Sequence, residues 1–244
     1  MHPSPHGRMQ KLFWLVITIV VLPTAAVVIQ HYFLPHDLGE RLPSDVGRLV
    51  DPSPATRQLA VDEIGKIARA SRNHDEEICN ALAAFVRSPA KGEPNNSMAS
   101  EKSDVSTSIQ ILSYLSSRNR CQRLNLRYAD LQGLELRGGT LANVDFTGAH
   151  LEDSIFVGSN LSGANFTAAH LARIDLCKAR ATNANWSESD IHQAVFRHAD
   201  LDRSTGFLTA GNIGSAMFEG ASLNGVNLGR YRYLADRLTN DTCD

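Results

Sequence analysis

From Arg123 to Arg203 the apolar residues of this chain recur at every fifth position. The recurring centres are Leu126, Leu131, Leu136, Leu141, Phe146, Leu151, Phe156, Leu161, Phe166, Leu171, Leu176, Ala181, Trp186, Ile191, Phe196 and Leu201, and none is polar. Two residues before each centre stands a second small or apolar residue, as at Leu124, Ala129, Val144, Ala149, Ala164 and Ile174. A period of five fits neither the 3.6 of a helix nor the 2 of a simple strand. It predicts a stacked repeat, in which each unit buries its apolar side against the next.

The blocks Ala129-Asp130-Leu131-Gln132-Gly133, Ala164-Asn165-Phe166-Thr167-Ala168 and Ala199-Asp200-Leu201-Asp202-Arg203 resemble the pentapeptide-repeat family. The resemblance runs from Cys121 to about Gly229. It implies a right-handed quadrilateral β-helix. Each pentapeptide would make one side and four would make a coil, with the centre and the residue two before it pointing inward. Residues twenty apart then stack. One side collects Leu126, Phe146, Phe166 and Trp186, and the opposite side Leu136, Phe156, Leu176 and Phe196. The remaining sides collect Leu131, Leu151, Leu171, Ile191 and Leu141, Leu161, Ala181, Leu201. Aromatic columns facing each other between aliphatic ones suit a narrow, filled interior.

After Leu201 the next centre is read as Leu208, which places a two-residue bulge within residues 204–207. The count resumes with Ile213, Phe218, Leu223 and Leu228, preceded by inward Gly211, Ala216, Ala221 and Val226. Coils ~4.8 Å apart give a rod of ~24 Å. Its open end needs a cap. Tyr231, Leu234, Ala235 and Leu238 fall at helical spacing and predict a short capping helix within 230–244.

Upstream, residues 36–87 read as helices. Ser53-Pro54 suits an N-cap and first helical position, followed by Leu59, Ala60, Ile64, Ile67 and Ala68. Asp75-Glu76-Glu77 suits a helix amino terminus, and Ile78, Leu82, Phe85 and Val86 share one face. Residues 88–103 read as a linker. A helix over 104–120, with Val105, Ile109, Leu112 and Leu115, is expected to cap the first coil. The segment resembles a HEAT-like helical pair and the region preceding the repeats in membrane-anchored bacterial pentapeptide-repeat proteins. Arg57 is read as a hydrogen-bonder at a helix turn.

Residues 1–11 form a tail, and Leu12 to Leu34 holds no Asp, Glu, Lys or Arg. That length predicts a membrane-spanning helix, with a cleaved leader cut after Ala26 as the rival. The fold class expected is therefore a β-repeat solenoid behind a small helical segment and one transmembrane helix. The location expected is single-pass in a bacterial inner membrane, with Arg8 and Lys11 favouring a periplasmic solenoid.

Charge changes the picture little. The chain carries a net charge of −2, and the part from Cys121 onward has 14 acidic and 11 basic residues, so no basic nucleic-acid surface is expected. The four cysteines have no metal-ligand spacing, and Cys79 with Cys121 is left open as a disulfide. On one side the residues just before the centres read Asp130, His150, His170 and Asp190, flanked by His192. Neighbouring imidazoles there suggest a pH-responsive pair or a solvated polar ladder; no metal, cofactor or catalytic residue is assigned. Asn143, Asn160, Asn165, Asn183 and Asn185 read as corner hydrogen-bonders.

These readings favour a non-enzymatic, membrane-tethered interaction module with an unidentified protein partner, a homodimer being left open. The family resemblance supplies an alternative, a DNA-mimicking regulator or protector of a type II topoisomerase. The interleaved Arg123, Arg127, Arg137, Arg173, Lys178, Arg180, Arg197 and Arg203 speak against it. A secreted effector follows if the leader is cleaved.

Overall fold

A computed structural model describes residues 36–88, 103–234 and 243. The chain divides into two compact units, Met1–Pro43 and Ser44–Asp244. Helix α1 (His36–Arg48) straddles that boundary. The second unit contains α2 (Pro54–Ala70), α3 (Asp75–Arg87) and α4 (Ser103–Ser117), followed by the repeats.

The Ser53 hydroxyl accepts the Thr56 N–H and Pro54 opens α2, as Ser-Pro at a helix start predicts. The inward stripe of α2 is Arg57, Ala60, Val61, Ile64, Ile67 and Ala68. Leu59, expected on that stripe, is exposed. The rotation follows from Arg57. Its Nε meets the Asp104 carboxylate of α4 at 2.7 Å, and Nη1 donates to the carbonyls of Asp51 and Pro52. With Arg57 turned inward, Val61 faces in and Leu59 faces out, as the helical period requires. At Gly65 the two helices approach so closely that a Cβ would meet Ile111 Cδ1 at 2.9 Å.

Helix α4 packs on α2 and α3 and also against the first coil, where Ser113 Oγ accepts the Thr140 N–H at 2.8 Å. That contact satisfies a strand edge the solenoid would otherwise leave open. Arg87 Nη1 does likewise for the Asn125 carbonyl. Arg120 joins the helices to the coils' entry: its guanidinium binds the Asp75 carboxylate and the carbonyls of Ala68 and Ser71. A Cys79–Cys121 disulfide fastens the same junction.

The repeats form a parallel β-helix. Single-residue bridges recur at a spacing of twenty, from Asn125 with Asp145 to Asn185 with Thr205. Each bridge is a pair of backbone bonds, such as Leu126 N–H to the Asp145 carbonyl and Asp145 N–H to the Leu124 carbonyl. Between bridges a turn closes from the centre's carbonyl to the N–H three residues on, as from Leu131 to Leu134. The residue two after the centre takes a positive φ, whether it is Gly133 or Arg173.

The sixteen centres from Leu126 to Leu201 are all buried. Phe146, Phe166 and Trp186 pile in one line, with centroids 5.2 and 4.5 Å apart and planes within 8°. Phe196 meets Trp186 edge-on from the facing column at 5.1 Å. Serines take inward positions where a carbonyl can receive them: Ser154 donates to Leu151, Ser159 to Leu136 and Ser189 to Trp186. No buried hydroxyl among these three is left without a partner, which is what lets serine stand for alanine.

The register shift differs from the expectation. The bridge spacing is 21 at Asp190 with Gly211 and 22 at Val195 with Met217. Two single residues are therefore inserted, Gly206 and Asn212, each between a bridge residue and its centre, with φ of 88° and 60°. Phe207, not Leu208, is the inward centre: it continues the aromatic column 5.6 Å from Trp186, while Leu208 is 56% exposed. Ala210 replaces Gly211 as the preceding inward residue. Only glycine fits at 206, because a Cβ would collide with the Ser187 backbone nitrogen. Ile213, Phe218 and Leu228 are buried, and Leu223 is half-buried.

Gly229–Leu234 is a 3-10 helix; the rest of the expected capping helix, 235–242, lies outside the described residues, as does 89–102 of the expected linker. Cys243 is bonded to Cys177 on the third coil, a disulfide the spacing did not suggest. The expected inner-membrane location is corrected. Among the described residues no helix is long and apolar enough to cross a membrane. The helices of the second unit have 13 to 17 residues against the ~20 a bilayer needs. The stretch 12–34 itself lies outside the described residues.

Candidate functional site

Because the interior is filled, chemistry on the solenoid belongs to its outward positions. The residue before each centre is held by two bridge bonds and presents its side chain on a flat face. Its neighbours above and below stand on the same face at the coil spacing.

One face carries a continuous hydrogen-bonded ladder. Asn165 Nδ2 donates to Thr147 Oγ1 at 2.9 Å, and Asn185 Nδ2 to Thr167 Oγ1 at 2.9 Å. Within each coil Asp145, Asn165 and Asn185 accept the N–H two residues on. These side chains fasten the corners of the coil and are spent on one another. Asn160 accepts the Ser162 N–H in the same manner, and Asn143 and Asn183 occupy positive-φ corners.

The opposite-sign charges are also largely paired. Arg173 grips Asp153 with two bonds of 2.6 Å, and this guanidinium holds the Asp153 carboxyl below the usual carboxylate range. Arg137 binds Glu135 at 2.7 Å, Arg127 reaches Asp145 at 3.5 Å, and Arg197 reaches Glu219 at 3.5 Å. Asp202 is lowered by hydrogen bonds from Ser222 and Asn224. The faces are mosaics of both signs.

The face of the second column differs. His150 and His170 form a bridge pair, and their rings stack at 4.5 Å with planes 1° apart. Asp130 bridges to His150 and Asp190 to His170, so the carboxylates bracket the imidazoles as the spacing predicts. Asp190 is occupied by the His192 N–H and by Asn212 Nδ2 at 2.8 Å. His192 Nδ1 lies 3.1 Å from Ser215 Oγ. Beside the pair stands Glu152, whose Oε1 lies 3.4 Å from His150 Nδ1. One ligand atom from each of His150, Glu152 and His170 lies within 4.8 Å of the other two. Glu152 follows its centre by one residue, the same offset that His192 has, so the signal lies in the sequence.

Residues 129–205 match the family model for a pentapeptide repeat region. The solenoid is a pentapeptide-repeat region. No curated protein matches the chain. Among solved structures, it is 28% identical to a pentapeptide repeat protein from the Arabidopsis thaliana thylakoid lumen, over 41% of this chain and 61% of that one, with a TM-score of 0.31. It is 23% identical to HetL of Nostoc sp. strain PCC 7120, a pentapeptide repeat protein involved in heterocyst differentiation regulation, over 43% and 53%, with a TM-score of 0.29. It is 20% identical to QnrB1, a plasmid-mediated fluoroquinolone resistance protein, over 47% and 82%, with a TM-score of 0.25. The chain thus spans 61% and 53% of the length of the first two pentapeptide repeat proteins. Pentapeptide repeats imply a right-handed β-helix solenoid, and proteins built on them are in general structural or interaction proteins.

Proposed function

We propose that this chain is a non-enzymatic protein-interaction module whose recognition elements are the outward faces of the pentapeptide-repeat solenoid. The observation that carries this reading is the division of labour within each pentapeptide. Inward residues are apolar and buried, while outward ones sit at fixed spacing on bridge-held backbone. Such a surface is pre-organised, so a partner that matches it orders few side chains on binding. A helical cap clamped by Arg120 and the Cys79–Cys121 disulfide keeps the first coil from pairing with other strands.

Four variants of the full chain test the reading, one for each side: Arg127→Glu, Arg173→Glu, Arg137→Glu and Arg180→Glu. A partner captured by the unaltered chain and lost with one variant, but kept with the other three, supports a face-specific contact. Equal capture by all four would refute it. The topoisomerase alternative requires a mostly acidic face, whereas the acidic residues here lie beside arginines. A gyrase supercoiling assay with the same protein separates the two: protection or inhibition would favour the alternative.

A further inference from the structure

We propose that His150, Glu152 and His170 bind one divalent first-row transition cation, of the class to which zinc and nickel belong. The backbone sets the two imidazoles. His170 N–H donates to the Ala149 carbonyl at 2.9 Å and Leu151 N–H to the His170 carbonyl at 2.8 Å, so both side chains leave adjacent coils in the same direction. With the third donor from Glu152, the ligand atoms lie within 4.8 Å of one another. Zinc bonds of about 2.0–2.1 Å in a tetrahedron put ligand atoms about 3.3 Å apart, so the donors have to close by roughly 1.5 Å. The His150 side chain is 51% exposed, which leaves its ring room to turn toward the other two donors.

A second observation points to a ligand. Glu152 Oε2 is shielded from solvent and accepts no hydrogen bond among the described residues. A carboxylate oxygen in that condition is costly, and a bound cation removes the cost. Arg173 is close enough to feel the charge of Glu152, but its Nε and Nη2 grip Asp153 and none of its N–H groups bonds Glu152 Oε2. The equivalent position on the next coil is Ala172, whose methyl group offers no hydrogen bond to the carboxylate. Two imidazoles with one carboxylate suit zinc, nickel or copper better than magnesium or calcium, which prefer oxygen. Three protein ligands leave a fourth position for water or for a donor from a molecule docking on this face.

The test uses the full chain stripped of metal by a chelator. Calorimetric titration with Zn2+ is expected to show a single equivalent bound. His170→Gln and Glu152→Gln should each weaken it by about tenfold or more, while His198→Gln leaves it unchanged. In the unaltered chain, Ni2+ should broaden the imidazole NMR signals of His150 and His170 before those of His74 and His198. No zinc uptake, the same affinity in all three variants, or broadening spread evenly over the histidines would overturn the proposal. The nickel measurement needs no substitution, so a variant that fails to fold does not obscure the answer.

Discussion

A cross-section through the solenoid anywhere between Leu126 and Leu201 meets the same four inward columns. A cross-section through α2, α3 and α4 meets a different set of contacts at every level. In the solenoid each centre rests on its copies one coil above and below, and the aromatic column simply repeats. In the helices the order depends on particular pairs brought from far apart in sequence. Arg57 with Asp104 spans 47 residues and Arg120 with Asp75 spans 45. Redundant nearest-neighbour packing tolerates drift at any one position and spreads damage locally. Removing one partner of a buried ion pair strands the other charge away from water, so that loss is felt by the whole bundle.

The largest effect expected from breaking this comparison is Leu151→Asp. Leu151 is fully buried between Leu131 and Leu171. Truncating a buried leucine costs about 2–5 kcal/mol, and an unpartnered carboxyl adds roughly 1–3 kcal/mol. The sum, roughly 5 kcal/mol, exceeds what the coils around residue 151 can absorb. Hydrogen exchange should show protection lost first in the bridges of residues 131, 151 and 171, with α2 and α4 losing theirs later. Simultaneous loss in both regions would mean that the solenoid and the helices open as one unit.

Arg57→Ala comes next. Arg57 and Asp104 are 3% and 1% exposed at their side chains. Removing the guanidinium leaves the carboxylate buried with a hydrogen bond from the Val105 N–H, a loss of about 3–5 kcal/mol by chemical denaturation. The double replacement Arg57→Met with Asp104→Leu should recover most of it, since well-packed apolar residues often replace a buried ion pair at no cost. A double variant as unstable as the single one would show that the carbonyl contacts of Arg57 to Asp51 and Pro52 matter more than its charge.

The same contrast explains what the sequence could disclose. Period-five spacing reports packing directly, so the columns and the stacked His150 and His170 follow from counting. Where the chain inserted Gly206 and Asn212, counting chose Leu208 over its neighbour Phe207. Both are apolar, and nothing in the period separates one double insertion from two single ones. A glycine at 206, with its freedom for positive φ, was the available clue. The Arg57 clamp, the Cys177–Cys243 bond across 66 residues and the fit of Glu152 to the imidazoles depend on tertiary proximity. No periodicity encodes that, and the exposed Leu59 is the price of reading α2 without its partner helix.

The smallest effect expected has opposite signs in the two regions. At Ala168 the chain has a φ of 55° in the corner of a coil. A left-handed alanine costs about 1–2 kcal/mol that glycine does not incur, while glycine's greater freedom in the unfolded chain returns about 0.4–1 kcal/mol of that gain. Ala168→Gly should therefore stabilise the protein by roughly 0.5 kcal/mol. Ala84 is exposed on helix α3, where the backbone is right-handed, and there Ala84→Gly should destabilise by about 1 kcal/mol. Asn183→Gly, at a φ of 58°, should fall near zero because asparagine already tolerates this conformation. Denaturation midpoints of the three variants give the order directly. If Ala168→Gly lowers the midpoint as Ala84→Gly does, left-handed strain is absent from the coil corners. The recurrence of arginine, lysine and glutamate at those corners would then reflect backbone geometry that the stacked bridges impose without cost.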